Sequence, residues 1–246
     1  MDFRSVSPNA GFGLVGASYR TSEGVSHGFA DVCAEKVEDD GLSFLSDTIR
    51  IEKIREEEAY QGIRVLLEAR LANARIPLQI DVGFGDVITP APVEVEYPTL
   101  LAFPAAKMRA YPRESVVAEK FEAMIKLGMA NSRMKDFYDL WVMAGRFEFR
   151  GPVLGEALAA TFARRKTGLP ASRPLALTPE FSASPAKQTQ WRAFLRKSGL
   201  EAGASLQDVT NAIDAFLIPV VEGILRKGTI PSLWRPGGPW RASPPD

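Results

Sequence analysis

The sequence predicts an α+β fold. Alternation of apolar and polar residues is concentrated between residues 48 and 84, helical periodicity begins near Val116 and continues, and an extended Pro-rich passage separates the two patterns. Strands followed by a run of helices, rather than strands alternating with helices, mark segregated α+β architecture. Residues 1–28 are rich in Gly and Ser without a sustained period and read as a poorly structured leader. A short helix is expected over 29–37, closed by the turn signal Glu38-Asp39-Asp40-Gly41. Strands are expected over 48–55, 62–71 and 77–84. In the second, Ile63, Val65, Leu67, Ala69 and Leu71 share one face, with Arg64, Glu68 and Arg70 on the other. The short Ala-Asn-Ala-Arg-Ile connection suits an antiparallel hairpin between the second and third strands.

The third strand, PLQIDVGFGD, carries the first candidate site residue. Leu78, Ile80, Val82 and Phe84 fall on one face by the period-2 rule, so Gln79 and Asp81 point the other way. A carboxylate is a poor strand former, and Gly83 and Gly85 leave room for another group to approach. Asp81 is either an exposed residue of a half-solvated sheet or a metal ligand.

Helical periodicity predicts a helix over 116–129, started by Pro112 and Ser115, with Val117, Phe121, Met124, Ile125 and Gly128 as its buried stripe. Ala-Asn-Ser at 130–132 supplies a break and a new cap. A second helix, over 133–144, buries Phe137, Leu140, Trp141 and Ala144 and places Arg133, Asp136 and Asp139 together on another side. Lys120, one helix earlier, can face them; the alternative is an intrahelical Arg133–Asp136 pair on a wet surface. Further helices are expected over 154–165, 188–196 and 208–225. The organisation is thus a leader (1–28), a small sheet region (29–112), a helical region (113–230) and a Pro/Gly-rich tail (231–246) whose two Trp residues either dock on the body or leave it disordered.

Composition limits the chemistry. No apolar run is long enough to cross a bilayer and the first residues lack a signal-peptide pattern, so a cytoplasmic protein without a membrane partner is expected. A single Cys33 and a single His27 exclude an intramolecular disulfide and a Cys/His zinc site, so a bound metal would be held by carboxylates, which favours Mg²⁺ or Mn²⁺. Net charge is zero, but residues 1–103 hold 9 Lys/Arg against 17 Asp/Glu, a net −8, and residues 104–246 hold 21 against 13, a net +8. A basic half attracts phosphates; two oppositely charged layers packed together would show the same asymmetry.

The stretch AEKFEAMIKLGMANSRMKDFYDL (118–140) resembles the C-terminal signature of the AbiEii/AbiGii nucleotidyltransferase toxin family. LQIDVGFGD (78–86) resembles the strand carrying that family's late acidic residue, and EYPTLLAFPAAKMRAYPRESVVAEK (96–120) fits the link between them. The resemblance implies a DNA polymerase β-like nucleotidyltransferase fold, with a small mixed sheet and a helical C-terminal region. It implies the toxin of a toxin–antitoxin or phage-defence pair that uses a nucleoside triphosphate and divalent cations, with tRNA as acceptor in some relatives and a cognate antitoxin as partner. Residue by residue, it makes Asp81 the acidic position beside the metal, Lys120 a triphosphate contact and Asp136 the acidic residue of the last motif. Asp139 would brace Asp136 or the preceding helix and belong to the nucleotide-binding set with Lys120, Arg133 and Lys135, the last two nearer the rim of the nucleotide site. The sequence departs from the family where members carry a Gly-Gly or Gly-Ser turn and then Asp-x-Asp. Gly16-Ala17-Ser18 is not that turn, Glu38-x-Asp40 is the nearest imitation of the pair, and the resemblance begins at Phe29. Two expectations follow: an active nucleotidyltransferase, or a noncatalytic or truncated relative that binds RNA or an antitoxin without turnover.

Overall fold

The computed structural model describes residues 21–37, 39–56, 60–84, 88–99, 102, 104–200 and 203–241. The chain divides into a sheet unit, formed by Gly11–Asp86 and Glu94–Ala110, and a helical unit that contains Val87–Val93 and Tyr111–Asp246.

In the sheet unit, helix α1 (Ser22–Ala34) starts where Thr21 accepts a hydrogen bond from the Gly24 N–H at 3.1 Å. It begins seven residues before the helix expected at Phe29, so residues 22–28 are helical rather than unstructured. The signal was the Thr-Ser-Glu start, which the Gly and Ser content obscured. The turn before β1 is built from Asp39 and Asp40, whose carboxylates accept the Gly41 and Leu42 N–H groups at 2.9 Å each. Gly41 sits at φ +78°, where a side chain is disfavoured.

Strands β1 (Leu42–Glu56), β2 (Tyr60–Leu71) and β3 (Ala74–Gly83) form an antiparallel sheet in that order. β1 starts six residues earlier than expected because a register shift between Leu45 and Arg50 interrupts its apparent period. The Thr48 hydroxyl spans that irregularity, donating to the Leu45 carbonyl at 2.6 Å and accepting the Glu68 N–H at 2.9 Å. One sheet face is apolar, as the alternation predicts: Ile63, Val65, Leu67 and Val82 are buried with Val25 of α1, and Ile49, Ile51, Leu78, Ile80 and Phe84 pack around them. Strands β4 (Val93–Tyr97) and β5 (Ala106–Ala110) pair separately.

The helical unit opens with α2 (Arg113–Leu127), a 3-10 turn at Gly128–Ala130, and α3 (Met134–Arg146). Ser115 does not cap α2; the Pro112 carbonyl takes the Val116 N–H, and the Ser115 hydroxyl donates to the Thr89 carbonyl at 2.8 Å. Strand β6 (Phe149–Arg150), α4 (Gly151–Arg164), a 3-10 turn at Leu175–Leu177, α5 (Pro179–Ser182), α6 (Pro185–Lys197) and α7 (Leu206–Leu225) follow. Ser205 and Asp208 close a reciprocal capping box on α7. The core joins Phe121 and Met124 of α2, Phe137 and Leu140 of α3, Leu154, Leu158 and Phe162 of α4, and Ile213, Phe216 and Leu217 of α7, each at most 1% exposed. Side chains of that size contribute roughly 1.5–3 kcal/mol apiece on burial.

The Pro/Gly-rich tail docks on this unit. Strands β7 (Leu233–Trp234) and β8 (Trp240–Arg241) extend from β6. The Trp234 indole N–H donates to the Ala144 carbonyl at 2.7 Å, and that of Trp240 to the Phe216 carbonyl at 2.7 Å. Gly151 faces this strap: a Cβ there would lie 1.7 Å from the Pro231 carbonyl oxygen, so only glycine fits.

Candidate functional site

The charges of 118–140 converge at the crossing of α2 and α3. The 3-10 turn at Gly128–Ala130 reverses the chain, so the first turns of α3 lie beside the middle of α2. Amphipathic spacing buries Phe121 and Met124 on one helix and Phe137 and Leu140 on the other, which turns Lys120, Asp136 and Asp139 toward one another. The Lys120 ammonium lies 2.7 Å from Asp136 Oδ1 and 2.8 Å from Asp139 Oδ2, and the Lys135 ammonium lies 2.7 Å from Asp139 Oδ2. Lys120, Asp136 and Asp139 side chains are only 18%, 15% and 15% exposed, so the cluster is largely removed from water.

Burial is the largest single influence on Lys120 and pulls its pKa down. The charges of Asp136 and Asp139 and the hydrogen bonds they accept outweigh it together, and the net position is above the ordinary lysine value. The ammonium therefore stays charged throughout the physiological range. It has three protons, of which the two carboxylates take two, leaving one donor for a further acceptor. Arg133 is exposed at the entry to α3, and its backbone N–H is held by the Asn131 side-chain oxygen at 2.8 Å. Asp136 thus reaches across to Lys120 instead of forming the surface pair with Arg133 that sequence spacing allows.

Glu122, on the same helix, was not singled out by sequence reasoning. Its side chain is 1% exposed; one oxygen accepts from Arg165 Nη1 at 2.9 Å and the other from the Thr167 hydroxyl. Arg165 thus ties the end of α4 to α2. Lys187 of α6 was also missed. It is 5% exposed and donates to the Asn131 carbonyl at 2.7 Å and to Gln190 at 3.3 Å, with its ammonium 5.0 Å from the centre of the Phe181 ring. Burial holds its pKa below the usual lysine value. A lysine inside a helical apolar stripe carries no sequence mark that separates it from a solvated one.

Asp81 belongs to the sheet unit. It points to the polar face, as predicted, and pairs across β2 and β3 with Arg64. Arg64 Nε and Nη2 donate to Asp81 Oδ1 and Oδ2 at 2.8 and 3.0 Å. The Arg64 bond is the main reason the Asp81 carboxyl lies below the usual carboxylate range. Gln79 flanks the pair. Hairpin arithmetic could have found this partner, because equal steps back from the Ala72-Asn73 turn along both strands reach Arg64 and Asp81.

Both Asp81 oxygens are engaged by one guanidinium, Asp136 and Asp139 by ammonium groups, and among the described residues no group of three or more His, Cys, Asp or Glu side chains is disposed to hold a metal ion. Mg²⁺ demands near-octahedral oxygen coordination, which one ion-paired carboxylate does not provide. Glu38, of the Glu38-x-Asp40 imitation, and Gly85 lie outside the described residues. Among the described residues no helix is long and apolar enough to cross a membrane.

Two solved structures are similar to parts of the chain. One is a Helicobacter pylori protein assigned as a nucleotidyltransferase, 13% identical, covering 78% of this chain and 72% of its own, with a TM-score of 0.38. The other is JHP933 from Helicobacter pylori, also 13% identical, covering 77% and 69%, with a TM-score of 0.40. No curated protein matches the sequence. The family model described as "Nucleotidyl transferase AbiEii toxin, Type IV TA system" matches residues 12–217. That span includes α1, both candidate site regions and the helical core, and it starts upstream of the Phe29 boundary read from the motifs. The chain belongs to the AbiEii nucleotidyl transferase toxin family of type IV toxin–antitoxin systems.

Proposed function

We propose that this chain transfers a nucleotide from a nucleoside triphosphate to an RNA acceptor such as tRNA, with Lys120 as the triphosphate contact. The observation that carries this reading is the Lys120 ammonium, held by Asp136 and Asp139 with one proton left to donate. In the transfer, an acceptor hydroxyl gives its proton to solvent water, its oxygen bonds to the α-phosphorus, the bond from that phosphorus to the bridging oxygen breaks, and pyrophosphate leaves with the electron pair. The ammonium neutralises charge that builds on the phosphate oxygens, and its carboxylate partners aim it without reorganisation. Asp139 shares its oxygen with Lys135, which places a second cation at the cluster's edge. Arg133, exposed one turn away, is the rim contact in this reading.

The test is transfer of label from each α-³²P nucleoside triphosphate to tRNA, in the presence of Mg²⁺ or Mn²⁺, by the unaltered chain and by Lys120→Met. The reading requires labelled RNA that Lys120→Met reduces by about 100-fold or more; unchanged labelling by the variant would refute it. A second reading, nucleotide or RNA binding without turnover, draws support from the bidentate Arg64 grip on Asp81. It predicts saturable triphosphate binding with no labelled RNA for any nucleotide. A cognate antitoxin is the remaining partner in either reading, and its co-expression would relieve growth arrest caused by the chain.

A further inference from the structure

Helix α6 has a charge distribution that the Lys120 cluster does not explain. Residues 181–200 contain Lys187, Arg192, Arg196 and Lys197 and no Asp or Glu. Lys187 is buried, whereas Arg192, Arg196 and Lys197 are exposed, with Gln188 and Thr189 on the same outward side. Arg192 donates to the Thr189 hydroxyl at 3.3 Å, and among the described residues none of the three cations has a carboxylate partner. Arg196 and Lys197 stand in the last turn, where the helix dipole favours a cation. Arg192 lies a turn earlier, beyond that explanation. Arg192 and Arg196, at i and i+4, have Cβ atoms about 5–6 Å apart, so both side chains can reach neighbouring phosphates of one strand.

The opposite side of α6 is fixed to α3. Trp191 and Phe194 pack with Tyr138 at ring-centre distances of 6.4 and 5.8 Å, and the Lys187 ammonium grips the Asn131 carbonyl just before α3 begins. The apolar side is therefore consumed inside the unit, which excludes insertion into a lipid surface, since that requires an exposed apolar face. A row of guanidinium and ammonium groups without carboxylate partners among the described residues remains, mounted on the helix that packs against α3, the carrier of Asp136 and Asp139. Arginine's planar fork matches phosphate oxygens in a bidentate way.

We propose that the outer face of α6, through Arg192, Arg196 and Lys197, docks the phosphate backbone of the RNA acceptor. The proposal rests on the nucleotidyltransferase reading only for the acceptor's identity; the surface itself is argued from charge and packing. Binding of a fluorescently labelled tRNA pool is measured across a salt titration for the unaltered chain, for R192E/R196E/K197E and for the charge-preserving R192K/R196K. Each phosphate contact contributes about 0.7 to 0.9 to the slope of log affinity against log salt. Loss of three contacts should flatten the slope by about 2 to 3 and weaken binding at least ~10-fold at low salt, with R192K/R196K retaining the slope. Affinity and slope unchanged in the charge-reversed variant overturn the proposal, as does preferential binding of polyglutamate over tRNA, which would assign the face to an acidic peptide. Absence of label transfer by every variant, with RNA binding still lost on reversal at α6, removes the catalytic reading and leaves this surface standing. Label transfer that the reversal leaves unaltered removes the surface and leaves the catalytic reading.

Discussion

Replacing Lys120 with Met isolates the cluster on which the functional reading depends. The Lys120 side chain is 18% exposed and its two partners 15% each, so the interaction lies closer to a buried pair than to a surface one. Exposed pairs contribute about 0–1 kcal/mol, and breaking a buried pair costs about 3–5 kcal/mol because a charge is left without a partner. Asp139 keeps Lys135 at 2.7 Å, but the ion pair given by Asp136 is lost. With one stranded carboxylate instead of two and some solvent access, the expected loss is about 2–3 kcal/mol. Lys120→Met/Asp136→Leu removes the stranded charge and should recover at least ~1 kcal/mol of that loss. The assay is urea unfolding followed by tryptophan fluorescence, which reports on the helical unit alone because all four Trp residues, 141, 191, 234 and 240, lie in it. A loss below about 0.5 kcal/mol for the single variant, or a further loss in the double variant, would refute the buried-cluster reasoning. The pH dependence adds a check. Because the folded Lys120 pKa is raised, its contribution is fully present below the ordinary lysine value of 10.5, which the unfolded chain takes, and disappears as pH rises through the raised one. Lys120→Met should lose that alkaline dependence.

Three other perturbations follow from the structure. Asp81→Asn should cost at most about 1 kcal/mol, as expected for an exposed cross-strand pair; because the folded Asp81 carboxyl is depressed by Arg64, its contribution should be present above the unfolded carboxylate value and vanish as pH falls through the folded one, measured by hydrogen exchange of the β2–β3 amides. Lys187 has a lowered folded pKa, so the unfolded chain holds its proton over a wider range and stability should rise with pH between the folded value and the unfolded one; Lys187→Met should flatten that rise in alkaline urea titrations. Gly151→Ala places a methyl 1.7 Å from the Pro231 carbonyl oxygen, and because backbone must move, a loss of about 3 kcal/mol or more with altered Trp234 fluorescence is expected.

The sheet was legible because β2 and β3 obey a strict period of two, and the face carrying Ile63, Val65 and Leu67 is the buried one. The start of β1 was hidden by its register shift at Leu45/Arg50, since a pattern read with a fixed period stops where a bulge resets it. The first helix was hidden by a Gly- and Ser-containing sequence anchored by the Thr21 cap and the buried Val25, with Phe29 and Cys33 packed beside it. Lys120 meeting Asp136 was legible from two helical stripes and a break at Asn131, because burying Phe121 and Phe137 leaves those charges on facing sides. Arg64 as the partner of Asp81 was present in the register but needed the turn to be fixed first. Glu122 with Arg165, and Lys187 with Asn131, join residues 43 and 56 positions apart, and such pairings are set by tertiary packing, which local periodicity does not encode.

The most direct test of the account is the triphosphate preference of the site. Dissociation constants for a non-hydrolysable nucleoside triphosphate analogue and for the corresponding monophosphate are measured for the unaltered chain and for Lys120→Gln, each confirmed as folded by tryptophan fluorescence. A Lys120 ammonium that contacts the triphosphate predicts that the unaltered chain prefers the triphosphate and that Lys120→Gln loses at least ~10-fold of that preference, about 1.4 kcal/mol, with monophosphate binding little changed. Equal preference in the two proteins would show that Lys120 only braces α2 against α3, and would contradict the proposed function.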